Sequence, residues 1–292
     1  MRNRISYRIF IVGLRVALGI AMCIGVAKAQ RASLAPSEAQ LYCSGLVTEQ
    51  AVPKDTYLIS GENSDYKTTF TPGDYVYINR GADQGVKAGD EFEVIRPEGD
   101  PNRGKWFKYQ PMLSQAMGTR YADIGRLRIV SVQPKTSTAE LRLACDLMQR
   151  GDIVRPFQVR PAPALHDVKF DPFAPPSGKK TAMVVTTKNF GMVSGVGSVV
   201  FVNLGSAQGV QVGNYFRVFR YQGTRTDNNY QVRNTAYKVY GFGSTPVAYL
   251  WDNLPRQALG EGIVLRTGPN SSTVLLTTSR EEIFVGDYVE LE

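Results

Sequence analysis

The chain holds a single histidine in 292 residues. That scarcity removes most of the familiar hydrolytic machinery. A Ser-His-Asp or Cys-His arrangement needs an imidazole base, and the one imidazole is His166, inside a proline-rich stretch. A zinc site built from His and Cys is short of donors for the same reason. The spacing of a phosphate-cradling GxxxxGK[ST] loop is missing, and so is the acidic spacing of an EF-hand. The 26 acidic residues could furnish a carboxylate pair for glycoside hydrolysis, but no spacing singles one out. The sequence therefore predicts a non-enzymatic protein without metal or cofactor, with a hydrolase as the third reading.

Cysteine is nearly as scarce, with three residues. Cys23 lies in the N-terminal segment, which leaves Cys43 and Cys145. An even pair in an oxidising compartment predicts one disulfide. Cys145 continues the alternation Ala139, Leu141, Leu143 and is expected to face inward. The alternative is a reactive thiol, which would need an activating base.

Long apolar runs are confined to the first thirty residues. Arg2, Arg4 and Arg8 form a basic start, Ile9–Val26 is mostly apolar, and Ala27-Lys28-Ala29 carries small residues where a signal peptidase reads. Residues 1–29 are expected to be a signal peptide, cleaved before Gln30. An uncleaved membrane anchor is the alternative, although Arg15 interrupts the span. This segment also explains the charge. The whole chain is formally +8, but residues 1–30 hold five basic groups and no acid, so residues 30–292 carry 29 basic against 26 acidic residues, or +3. A basicity concentrated in an export signal does not point to nucleic acid. The expected location is the periplasm or outer cell envelope, with membrane contact only through an uncleaved signal.

What the chain does have is an internal repeat. Gly73–Arg96 reads GDYVYINRGADQGVKAGDEFEVIR and Gly197–Arg220 reads GSVVFVNLGSAQGVQVGNYFRVFR. Without gaps they share Gly73/Gly197, Val76/Val200, Asn79/Asn203, Gly81/Gly205, Gln84/Gln208, Gly85/Gly209, Gly89/Gly213, Phe92/Phe216, Val94/Val218 and Arg96/Arg220, among others. The trailing segments Gly125–Val154 and Gly260–Val289 also align. Turn glycines and strand-spaced apolar residues repeat, so what is duplicated is a fold. A strand is expected ahead of each block, at Thr56–Ser60 and Ala182–Thr187. Within the first block Phe92 and Val94 alternate with Glu91 and Glu93, the pattern of a half-buried strand. Gly-Asp or Gly-Asn precedes an apolar run at Gly73, Gly89, Gly151, Gly213 and Gly286, which predicts five turns of one kind. Many short strands with glycine-rich turns predict an all-β fold.

The expected organisation is a first β-barrel domain at 30–157, a proline-rich linker at 158–180 and a second β-barrel domain at 181–292. The stretch Arg155–Lys180 carries six prolines and no sustained periodicity, which reads as a semi-extended spacer. The copies differ in their middles, at Pro97–Ile124 and Tyr221–Leu259. These insertions hold both tryptophans. Trp106, Tyr109, Tyr249 and Trp251 are the candidate ligand-binding residues, since aromatic faces among Lys and Arg can stack on sugar rings. The competing reading is that they pack the insertions onto the barrels.

The pattern V-Y-I-N-x-G-x-x-x-G-V-x-x-G-D-x-F-x-V at Val76–Val94 resembles the C-terminal barrel domain of flagellar assembly protein T, and similar blocks accompany LysM peptidoglycan-binding modules in bacterial envelope proteins. The resemblance implies a small SH3-like barrel in an exported envelope protein. The chain has neither a LysM module nor flagellar N-terminal domains. The leading expectation is a structural or adaptor protein whose partners are envelope proteins. The alternative is a binding module for peptidoglycan or another envelope glycan through the aromatic insertions.

Overall fold

Strands dominate the computed structural model, which describes residues 35–63, 66–100, 106–166, 169–221 and 254–292. A short helix α1 (Glu38–Tyr42) leads into β1 (Leu46–Thr48). Ser37 caps α1 reciprocally: its hydroxyl accepts from Gln40 N, and the Gln40 side chain accepts from Ser37 N. The first sheet then uses β2 (Leu58–Gly61), β4 (Tyr75–Ile78), β5 (Glu91–Glu98), β6 (Thr119–Val132), β7 (Ser137–Ala144) and β9 (Ile153–Pro156). Their order is β2-β4-β7-β6-β5-β9, with β1 added against β6. Val154 N donates to Thr56 O and Leu58 N to Asp152 O, both at 2.9 Å, so the last strand returns to the first.

The second sheet repeats this order. It comprises β10 (Thr181–Thr187), β12 (Val199–Val202), β13 (Tyr215–Arg220), β14 (Gln257–Thr267), β15 (Ser272–Ser279) and β17 (Tyr288–Leu291). They form a closed barrel, β10-β12-β15-β14-β13-β17. A two-stranded accessory sheet accompanies each: β3 (Thr69–Phe70) with β8 (Met148–Gln149), and β11 (Val193–Ser194) with β16 (Ile283–Phe284). Closure leaves few free strand edges, which suits short strands that could not each bury a face alone. Each interior is lined by one face of its strands. Val76, Ile78, Phe92, Val94, Leu127 and Leu141 fill the first, and Val200, Val202, Phe216, Val218, Val264 and Leu276 the second.

The shared polar residues each hold a turn or a strand end. Asn79 Oδ1 accepts from Tyr57 N and Asn203 Oδ1 from Met183 N, both at 2.7 Å. Gln84 and Gln208 reach back to the amides of Gly81 and Gly205, at 2.8 and 2.7 Å. Those two glycines sit against backbone carbonyls of Gln133 and Gly268, where a Cβ would collide. In the five Gly-Asp or Gly-Asn turns the side chain accepts from the amide three residues earlier: Asp74 from Thr71, Asp90 from Lys87, Asp152 from Gln149, Asn214 from Gln211 and Asp287 from Phe284. The preceding glycines all have φ between 85° and 98°, a region closed to most side chains.

Cys43 and Cys145 are joined by a disulfide, with Cα atoms 5.3 Å apart. Cys145 lies one residue beyond β7 and is half-buried, because the strand ends at Ala144 and the strict alternation stops with it. The stretch at 158–180 has no helix or strand among its described residues, yet it is pinned along its length. Arg160 enters a buried ion network, His166 docks on the second barrel, and Ser177 Oγ donates to Leu291 O at 2.7 Å. It is a strap laid on the protein more than a free spacer. No helix among the described residues is long and apolar enough to cross a membrane.

Candidate functional site

The insertion after β5 carries helix α2 (Gln110–Met117), and this helix leans on the second barrel. Trp106 N donates to Gln110 Oε1 at 2.8 Å, which fixes the helix start. Gln110 Nε2 donates in turn to Val185 O of β10 at 2.9 Å, in a buried position. Phe107 is fully buried against Met183 and Val285, with Trp106 packed beside them. The Trp106 ring is therefore half-buried in the contact between the barrels. Tyr109 is exposed at the helix N-cap, with Lys108 Nζ 5.3 Å from its ring centre. Trp106 and Tyr109 thus sit in different surroundings, one half-buried and one exposed. Tyr249 and Trp251 lie outside the described residues.

The largest concentration of buried charge is a seam between the barrels that the sequence reading did not single out. Asp123 on β6 is almost wholly enclosed. Arg160 of the strap and Arg266 of β14 both reach its Oδ1 at 3.1 Å, and Gly45 N donates to its Oδ2 at 2.8 Å. Arg160 also contacts Glu93 of β5 at 2.5 Å, and Arg155 of β9 holds the other Glu93 oxygen at 2.6 Å. Burial favours a neutral Asp123, but Arg266 and Arg160 outweigh it and hold the carboxyl below its usual range. Burial also lowers the Arg266 pKa, whereas on Arg160 the attraction of Asp123 and Glu93 prevails and raises it. Glu93, which the alternation placed on a solvent face, is buried because the strap and the second barrel cover that face.

Further bonds cross the seam. Arg120 NH1 donates to Thr187 O at 2.7 Å, another of its nitrogens bonds Lys188 O, and Glu98 lies 3.2 Å away. Its guanidinium stacks 3.7 Å from the Phe190 ring centre. Burial lowers the Arg120 pKa to about 10. Ser271 Oγ donates to Val47 O at 2.5 Å, and Thr273 Oγ1 to Gly45 O at 3.2 Å. His166 stacks on Tyr215 at 3.7 Å, with Nε2 3.0 Å from Glu261 Oε1. The one imidazole thus anchors the strap to β13 and β14. Burial is the leading cause that raises the Tyr215 pKa.

Three clefts open along this seam. One of about 510 Å³ is bounded by Arg120, Gln110, Met117 and Phe190. A second of about 500 Å³ has Glu93, Arg155, Arg160 and Arg266 in its wall. The third, about 520 Å³, has the Cys43–Cys145 bridge in its wall. Among the described residues no cluster of His, Cys, Asp and Glu is arranged to hold a metal ion. The arrangement fixes one barrel on the other, and its charged groups are matched to each other. The positions involved, 93, 120, 123, 160 and 266, are far apart in sequence and follow no shared spacing. No model of a known protein family matches the chain, and a search of curated proteins finds no match either.

Proposed function

We propose that the chain is an exported, non-enzymatic adaptor of the bacterial cell envelope, built from a duplicated SH3-like barrel. The observation that carries this reading is the seam. Asp123, Glu93 and the three arginines around them are spent on one another, so the two barrels form one block of fixed geometry. A block of fixed geometry suits holding partners in a set arrangement. The duplication is supported by the common strand order and by twin contacts such as Asn79 with Tyr57 and Asn203 with Met183. The disulfide and the basic-then-apolar N-terminus support export.

The test is purification of the tagged full-length chain from crosslinked envelopes, alongside incubation of the protein with purified sacculi. An adaptor brings down a defined set of envelope proteins at constant stoichiometry and releases no soluble glycan. Release of muropeptides would replace this reading with a hydrolase.

A further inference from the structure

The two barrels match strand for strand, but one outer face is treated differently in each. In the second barrel two cross-strand rows lie on that face. One row runs Val185, Phe201, Thr273, Leu265 and the other Val199, Leu275, Ile263. Val185 and Leu265 sit at the register shifts of their strand pairs. These side chains are buried under Leu41 of α1, Val47 of β1 and Met117 of α2. The covering group is therefore polypeptide, mostly aliphatic, with the Tyr42 ring and the Arg120 guanidinium also packed on the face.

The same rows recur in the first barrel with the same registers and the same shifts: Ile59, Tyr77, Thr138, Val130, and then Tyr75, Glu140, Arg128. Here the face is open. Ile59 is 38% exposed where Val185 is 0%, Tyr75 is 39% where Val199 is 8%, and Val130 is 42% where Leu265 is 2%. Tyr57, at 42%, extends the patch from the residue just before β2. Exposed apolar side chains scattered singly need no account, but a contiguous patch at a face built for covering does.

We infer that this face docks an apolar segment of another envelope protein, one that brings a carboxylate to Arg128. The charge is the specific part. Arg128 is exposed and makes no ion pair among the described residues, while Glu140 opposite it in register is held by Arg142 at 3.0 Å. In the covered barrel the Arg128 and Glu140 positions are the apolar Ile263 and Leu275, so the open face carries two charges where its twin has none, and with Glu140 held by Arg142 the unmatched one is Arg128. A second copy docking through the same face would add another unmatched Arg128. A partner with Leu, Val or Met on one side and an Asp or Glu at the edge fills the rows as the twin is filled and neutralises the cation. The inference rests on the adaptor reading and adds the location and chemistry of its contact.

The test places a photo-reactive phenylalanine analogue at Tyr75, at Val130 and, as a control on the second barrel, at Val212, in the full-length chain expressed in cells. All three side chains are exposed, and thermal melting checks that each variant is folded. The expected result is protein adducts from positions 75 and 130. By mass spectrometry they map to an apolar segment with a neighbouring Asp or Glu, and Arg128→Glu reduces their yield about tenfold or more through like-charge repulsion. Adducts to glycan, to a second copy, or to residues 222–253 of the same chain would overturn the inference, as would adducts insensitive to Arg128→Glu. Adducts from position 212 alone would overturn the face and leave the adaptor reading standing. No protein adduct at any position, with nothing co-purifying, would overturn both.

Discussion

Arg96 and Asp152 form a two-pronged ion pair, Nε to Oδ1 at 2.7 Å and NH2 to Oδ2 at 2.8 Å. Asp152 is simultaneously the acceptor of its own Gly-Asp turn, so one carboxylate ties β5 to the turn before β9. The second barrel repeats the device with Arg220 and Asp287, at 2.8 and 2.7 Å. Each arginine adds a bond to a carbonyl of the preceding loop, Leu147 O and Glu282 O. The pairing raises the pKa of Arg96, with the Asp152 hydrogen bond as its largest cause.

Removing one arm of this clamp strands a buried carboxylate. Arg96→Ala and Arg220→Ala are each expected to lower stability by about 2–3 kcal/mol. That is below the ~3–5 kcal/mol of a fully buried pair because both arginines keep some solvent contact. Arg→Lys restores little, since an ammonium cannot fork onto both oxygens. Urea unfolding of the four variants measures this, and equal losses in the two barrels are expected.

Asp123 anchors the seam, and its loss leaves Arg160 and Arg266 facing each other without the charge between them. Asp123→Ala is expected to cost about 3–5 kcal/mol. Because its folded pKa is depressed, Asp123 contributes stability that is fully present above the ordinary carboxylate value of about 3.9 and is lost as pH falls through the lower folded value. Denaturant midpoints from pH 7 to pH 2 therefore fall more steeply in the wild type than in Asp123→Asn below about pH 4.

The bridge between Cys43 and Cys145 closes a loop across a separation of 102 residues. The chain-entropy account gives about 4.7 kcal/mol for a loop of that order. The Cys43→Ser, Cys145→Ser double variant is expected to lose about 2–5 kcal/mol. Thiol labelling of the native protein should find both cysteines protected until reductant is added.

Trp106 is a packing residue at the seam. Trp106→Ala is expected to cost about 1–3 kcal/mol, less than a fully buried aromatic, and to leave glycan affinity unchanged. In a Trp251→Phe background, the emission of Trp106 stays constant on titration with glycan fragments. A saturable shift would return Trp106 to the role of a sugar platform.

Much of the fold is legible because its determinants are local. Gly151-Asp152 and Gly286-Asp287 specify their turns within four residues, and Gln84 and Gln208 cap their own loops. The Cys43–Cys145 pair follows from counting. The seam was hidden for the opposite reason: Asp123 and Arg266 are 143 positions apart, and no spacing rule connects them. Glu93 looked like a solvent-facing strand residue because alternation reports which side chains enter the barrel and is silent on what covers the outside. One signal was present. Val199–Val202 is continuously apolar where Tyr75–Ile78 alternates, which is how a strand buried on both faces reads. That difference marks which barrel has its outer face covered. The prolines of 158–180 suggested a spacer, but Arg160 and His166 between them carry the contacts that pin it.

The most direct test of the adaptor account is co-sedimentation of residues 30–292 with purified peptidoglycan sacculi at physiological salt. The protein is expected to stay in the supernatant, while the same preparation retains envelope proteins on an affinity column. Saturable pelleting that disappears in Trp106→Ala with Trp251→Ala, in a folded protein, would contradict it and establish a glycan-binding module.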